Sequence, residues 1–347
     1  MNSLIRAPWG DAVGWRNCLT LLGALVVSSS ALAQTEGAKK TPVQVSIGMH
    51  VIEMRQVDAR SQSFYGDFYV WLRFDSTGLD EERIKMISHI EPVNGKFDSQ
   101  DVTDDKQVGA EHYICYRVTG TFFFIPELKN YPFDTQQLPL TLEFASLDAD
   151  EAVFVDDKIS YARGATPEVR WGLSPTLSIP DYTLKKVERT VFAVEYPTNF
   201  GDPSKSKSGV SYSRYTLKVA FEREYWSYAF KILIPLLIIL AMAYLVFFLP
   251  PAQLDTAASV AMTALLSCMA YNVAVSQNMP EIGYLVVSDK FFIATYVLLL
   301  LTLAQTFITF ILDAEGKTDA ARRFDKGSAI AFPLMVVGIF AFFIAGV

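Results

Sequence analysis

The chain is poor in the residues that build most catalytic and metal centres. Its 347 residues include three cysteines and three histidines, and only 19% are charged. Cys18 falls in a segment expected to be removed, and Cys115 and Cys268 fall in different domains, so no intrachain disulfide is expected. There is no Cys/His cluster with metal-ligand spacing, no Gly-x-Ser-x-Gly motif and no phosphate-cradling glycine loop. No catalytic residues, no metal, no cofactor and no enzymatic activity are therefore expected. The formal charge of -7 includes no Lys/Arg block, which argues against nucleic acid as a partner and favours cations nearby. Between Val43 and Phe221 no long amphipathic helix can be read, and the apolar segments that follow show no internal repeat of the kind many secondary transporters carry.

What is abundant is apolar surface, and it is unevenly placed. Hydrophobic residues make up 51% of the chain, with the excess in the C-terminal third, which implies one soluble and one membrane domain. Residues 1–33 place Arg6 and Arg16 ahead of CLTLLGALVV and end on Ala31-Leu32-Ala33, the pattern of a cleaved signal peptide, with an uncleaved anchor helix as the alternative. The domain at 34–224 is then exported. Its runs VQVSIGMHVIEM, SFYGDFYVWLRF, HYICYRVTGTFFF, LPLTLEF, YTLKKVERTVFAVEY and YSRYTLKVAFE alternate apolar and polar residues and read as strands of an all-β, immunoglobulin-like sandwich. Residues 225–347 carry four predominantly apolar stretches long enough to cross a bilayer, at about 226–249, 255–279, 286–312 and 327–347. The connection 313–326 holds Lys317, Arg322, Arg323 and Lys326, which places it on the cytoplasmic side.

The second span is not uniformly apolar. Asp255, Ser259, Thr263, Leu266, Ala270, Val273 and Gln277 follow one another at three- or four-residue intervals, the spacing of a single helix face. This face begins with a carboxylate, continues through two hydroxyls and an apolar zone, and ends on an amide. Such a stripe is poorly suited to lipid. Copies from several subunits arranged as a ring would enclose it as a water-filled conduit, with Asp255 as a cation-selecting ring and Leu266 and Val273 as a hydrophobic gate. Two alternatives remain: Ser259, Thr263 and the alanines form a packing face between helices, or the four helices merely anchor a non-conducting binding protein.

The order of signal peptide, all-β domain and four spans with a striped second helix resembles the pentameric ligand-gated ion channels, the Cys-loop receptor superfamily. Tyr131-Pro132-Phe133-Asp134-x-Gln136-x-Leu138 is similar to the family's aromatic-Pro-Phe-Asp-x-Gln signature. Phe124 and Leu138 stand where animal members carry the paired cysteines, which resembles the bacterial branch. Pro235, Asn272 and Pro280 match further family positions. The resemblance implies a homopentamer in a bacterial inner membrane, permeant monovalent cations, membrane lipids as neighbours and a periplasmic β domain. It implies agonist binding between β domains, beneath a hairpin that here spans Tyr196–Tyr212. Glu91, Glu143, Tyr196 and Tyr212, with Tyr69 and Trp71 from the facing subunit, then resemble a site for a small cationic amine. Met86 and Ala145 replace aromatics found in many relatives. Proton gating is the competing stimulus, with His50, His89 and His112 among the groups that could serve it. Asp58, Pro132, Phe133, Asp134, Arg223 and Pro280 correspond to the surface that couples the two domains, Arg223 pairing with Asp134. Ala59 stands where close relatives have a second acid beside Asp58.

Overall fold

The computed structural model describes residues 41–161, 172–203, 205, 209–277 and 279–345. The expected signal peptide, and with it Cys18, lies outside the described residues. Among the described residues, nine strands form two sheets. The first runs in the order β4 (Gly95–Val108), β5 (Glu111–Phe123), β2 (Ser63–Asp75), β1 (Val43–Asp58), β7 (Ala152–Asp156). The second runs β3 (Ile90–Pro92), β6 (Thr135–Phe144), β9 (Val210–Arg223), β8 (Tyr182–Tyr196). Pairing is antiparallel throughout except between β1 and β7. One short helix, α1 (Glu81–Ser88), is capped by the Asp80 carboxylate, which accepts from the Arg83 N–H.

Period-two patterning explains the sandwich. In β2, Phe64, Phe68, Val70, Leu72 and Phe74 are buried, while Tyr65, Tyr69, Trp71 and Arg73 turn to the other face. Leu138, Leu140, Leu142 and Phe144 of β6, and Tyr215, Leu217, Val219 and Phe221 of β9, face them from the second sheet as parts of the same core. Phe124 and Leu138 are both buried in this core, so the positions that resemble a disulfide pair elsewhere are filled here by apolar packing.

The chain passes from β9 into α2 (Tyr225–Tyr244) with Glu224 alone between them, and continues through a 3-10 turn at Leu245–Phe248 into α3 (Leu254–Ser276), α4 (Val287–Ala314) and α5 (Thr318–Ala345). Among the described residues, four helices are thus long and apolar enough to cross a membrane, and the chain is a multi-pass membrane protein. The last helix differs from the expected one. It starts at Thr318 rather than near 327, so the expected loop at 313–326 shrinks to Glu315–Lys317, and Arg322, Arg323 and Lys326 lie on the first turns of α5. No proline or glycine interrupts residues 318–326, and Asp319 sits favourably in the first turn, so polarity here marks the membrane boundary and not the end of a helix.

Gly48 is held by close approach: it pairs with Trp71 across β1 and β2, and a Cβ there would lie 2.2 Å from the indole. Gly48→Ala is expected to cost about 1–3 kcal/mol by overpacking. Trp71→Ala should remove most of that penalty in the double mutant, and purely additive losses in thermal unfolding would refute the contact.

Candidate functional site

All seven stripe residues of α3, Asp255, Ser259, Thr263, Leu266, Ala270, Val273 and Gln277, are exposed in the isolated chain. Leu266 is 64% and Val273 60% exposed, large values for branched aliphatic side chains. The opposite side of the same helix carries Ala257, Ala261, Ala264 and Cys268, all buried, and α3 packs mainly on α4 and α2. Small residues at four-, three- and four-residue spacing let the neighbouring helices come close. The packing face and the stripe are therefore two different faces. Thr263 Oγ1 donates to the Ser259 carbonyl at 2.7 Å, which commits its proton and leaves its lone pairs outward. Gln277 caps the helix, and its carbonyl accepts from Arg60 Nη1 at 3.2 Å, tying the end of α3 to the β1–β2 loop.

Where the β domain meets the bundle, Arg223 closes β9 with a forked ion pair. Its Nε donates to Asp134 Oδ1 at 2.8 Å and its Nη2 to Oδ2 at 3.1 Å. Both side chains are buried, and Gln136 Nε2 donates to Oδ2 at 2.5 Å. The guanidinium also lies 4.8 Å from the Tyr182 ring, 5.0 Å from Tyr228 and 5.2 Å from Tyr131. Tyr182 belongs to β8, Tyr131 to the β5–β6 loop and Tyr228 to α2, so one cation gathers three segments. Burial pushes the Tyr182 phenol up to about 12, keeping it neutral in the face of that cation. Pro132 and Phe133 reach into the bundle, lining a crevice with Ala229, Ile232, Leu233 and Phe291, and the Phe133 ring sits 5.1 Å from Tyr225. Pro280 is buried just beyond α3. Asp58 does not join the Arg223 pair. Its carboxylate accepts from Ser61 Oγ at 2.8 Å and the Arg60 N–H at 2.9 Å, and these bonds hold it below the usual carboxylate range.

On the outer face of the second sheet, Glu91 and Glu143 are direct cross-strand partners. Tyr196 and Tyr212 stand beside them, with ring centroids 5.7 Å apart, and Phe200 completes an edge-to-face trio. Glu143, however, already has a cation. Arg214 Nε donates to Glu143 Oε1 at 2.7 Å, Arg214 Nη2 donates to the Tyr196 hydroxyl at 2.7 Å, and that hydroxyl donates to Glu143 Oε2 at 3.1 Å. Arg214 is the residue of this cluster that the sequence reading does not include. Its signal was present, since it lies two residues beyond Tyr212 on the same strand face, opposite Glu143 in register. Glu91 lies at the open side with no cation paired to it among the described residues; loss of water, then the Glu143 charge, raise its carboxyl above the usual range. Tyr69 and Trp71 lie on the other sheet, so one chain does not bring them to this cluster. The Trp71 indole donates to Asp157 Oδ2 at 2.8 Å, and Arg117 lies 6.0 Å from the Tyr69 ring. His112 pairs with Asp105 at 3.2 Å, burial lowers His50, and the charge of His89 acts on Glu91.

No protein-family model matches the sequence. Among curated proteins, the chain is 20% identical over 309 residues to a proton-gated ion channel from Gloeobacter violaceus, an alignment that spans 85% of this chain and 80% of that protein.

The Arg223–Asp134 pair is desolvated, so removing either partner leaves a buried charge alone. Asp134→Ala or Arg223→Ala is expected to lower stability by about 3–5 kcal/mol, with Arg223→Lys recovering only part of the loss. Denaturant unfolding of the purified protein measures this; losses under about 1 kcal/mol would mean the pair behaves as a solvated surface bridge.

Proposed function

We propose that this chain, built on the fold of the pentameric ligand-gated ion channels and similar along most of its length to a bacterial ion channel, forms a homopentameric, cation-selective channel. It resides in a bacterial inner membrane with its β domain in the periplasm, and the exposed stripe of α3 lines a shared central pore. The observation that carries this reading is that α3 uses one face to pack within its own subunit and leaves a second, mixed-polarity face exposed in the isolated chain. A bilayer cannot solvate Asp255, Ser259 and Thr263 on that face, whereas a ring of neighbours encloses them with water and membrane lipids stay outside. Asp255 then concentrates monovalent cations at one mouth, Thr263 offers hydroxyl oxygens, and Leu266 with Val273 forms a zone that closes by dewetting.

For the stimulus, the pocket between β domains is the control site, with Glu91 as its responsive group and Tyr69 and Trp71 supplied by the neighbour. A small cationic amine could bind Glu91 within the Tyr196–Tyr212 cage, but Arg214 already neutralises Glu143 and competes for that space. This favours proton uptake at Glu91 over an amine agonist, and the similar Gloeobacter protein is named as proton-gated. The sign follows from the raised carboxyl. The ionised form is disfavoured in this conformation, so acidification stabilises it relative to any conformation in which Glu91 is fully hydrated. Asp58, Pro132, Phe133, Asp134, Arg223 and Pro280 transmit the change to α2 and α3.

Reversal potentials of the reconstituted protein in a salt gradient test conduction and selectivity. Wild type should favour cations; Asp255→Lys should lower the cation-to-anion permeability ratio by about tenfold, the equivalent of about 1.4 kcal/mol. Leu266→Ser should leak at rest. Anion-selective wild-type currents, or none at all under either stimulus, would sink the reading. The two stimuli separate cleanly: Glu91→Gln should displace the half-maximal pH, while Arg214→Gln should sensitise the channel to a primary amine such as propylamine by about tenfold only if Glu143 is an amine site.

A further inference from the structure

At the end of the bundle away from the β domain, α4 and α5 share a polar cluster that the conduction reading does not use. Gln305 and Thr309 of α4 face Asp325 of α5, and all three line a small cavity of about 20 Å³ with Thr306, Ala257 and the α2–α3 turn at Pro250 and Pro251. That is room for one water or one small ion. Gln305 is 7% exposed, and its Oε1 is buried without a hydrogen bond from any described residue. Such an orphaned acceptor calls for a ligand.

The proton accounting identifies its sign. Both amide hydrogens of Gln305 are committed, to Asp325 Oδ1 at 2.5 Å and to Thr309 Oγ1 at 3.0 Å. The Thr309 hydroxyl donates to Asp325 Oδ1 at 2.9 Å, and the Thr306 hydroxyl donates to the Thr302 carbonyl at 2.9 Å. The Ala257 N–H is spent on the Gln253 carbonyl at 3.1 Å. The side chains around the cavity therefore have lone pairs to offer and no free hydrogen. Asp325 has no Lys or Arg ion pair among the described residues, although Arg322, Arg323 and Lys326 lie within a turn of it, so its carboxyl has no counter-ion there. A water molecule would satisfy Gln305 alone; a cation would also give the Asp325 carboxylate a counter-ion. All donors are hard oxygens, which suit an alkali cation and not a soft transition metal.

We propose that this cavity binds one sodium ion through Gln305 Oε1 and the Asp325 carboxylate, clamping α5 and α4 to the α2–α3 turn. The turn leads directly into Asp255, so the clamp steadies the pore mouth from outside the conduction path.

The test is thermal unfolding of the full-length protein in detergent, in sodium chloride against N-methyl-D-glucamine chloride at equal ionic strength. Sodium should raise the midpoint by on the order of 3 °C in wild type and in Asp255→Asn, but not in Asp325→Asn or Gln305→Met. Equal midpoints in the two salts would mean a water only, and a shift that survives both cavity variants would place the cation elsewhere; either result overturns the proposal. If the cavity variants fail to assemble, crystals of the wild-type protein soaked in thallium(I) decide it. Anomalous density between Gln305 and Asp325 supports the site, and its absence there rejects it.

Discussion

A helix that crosses a bilayer has to find a suitable neighbour for every side of its surface, and α3 has two sides with incompatible demands. The side built from Ala257, Ala261, Ala264 and Cys268 is small and apolar and is met by α4 and α2. The side running from Asp255 to Gln277 carries a carboxylate, two hydroxyls and an amide, and hydrocarbon gives none of them a hydrogen-bond partner. Burying the first side fixes where the second one points. Closure of identical chains into a ring would supply the water that the second side needs, and the proposed function follows from this conflict more than from any single residue.

The domain junction ties the sandwich to the bundle that holds that helix. Strand β9 runs almost without a break into α2, so displacement of one displaces the other. Arg223 sits at the joint with its charge fully committed to Asp134 and its flat face surrounded by tyrosines from three segments. A buried, forked pair of this kind adds little net stability but strongly penalises misalignment, because any geometry that parts the two leaves a charge in a place without water. Arg60 provides a second link by reaching the carbonyl at the end of α3. The opposite end of the bundle is also tied by polar contacts, those of Gln305, Thr309 and Asp325. Apolar contact carries most of the length between the two polar ends.

On the second sheet, Arg214 sets the charge balance of the cluster around Glu143. Two carboxylates and two tyrosines invite a cation, and the chain supplies one of its own in Arg214. What remains without a paired cation among the described residues is Glu91, whose carboxyl is raised above its usual range by loss of water and then by the Glu143 charge.

The sequence by itself determined the two-domain plan, the strand-rich sandwich, the four spans and the stripe on α3. Each of these is a periodicity, and periodicity of two or of 3.6 is a local property that a linear pattern carries intact. The Tyr131–Asp134 turn and its pairing with Arg223 were legible as well, through a motif. Tertiary structure decided the rest. That Asp58 caps its own turn, that Arg214 fills the space beside Glu143, that α5 extends back to Thr318, and that Gln305 and Asp325 meet across two helices all depend on strand register, local helix propensity or helix contact. Such pairings are between residues far apart in the chain, or between groups with several possible partners, and only the folded geometry selects among them.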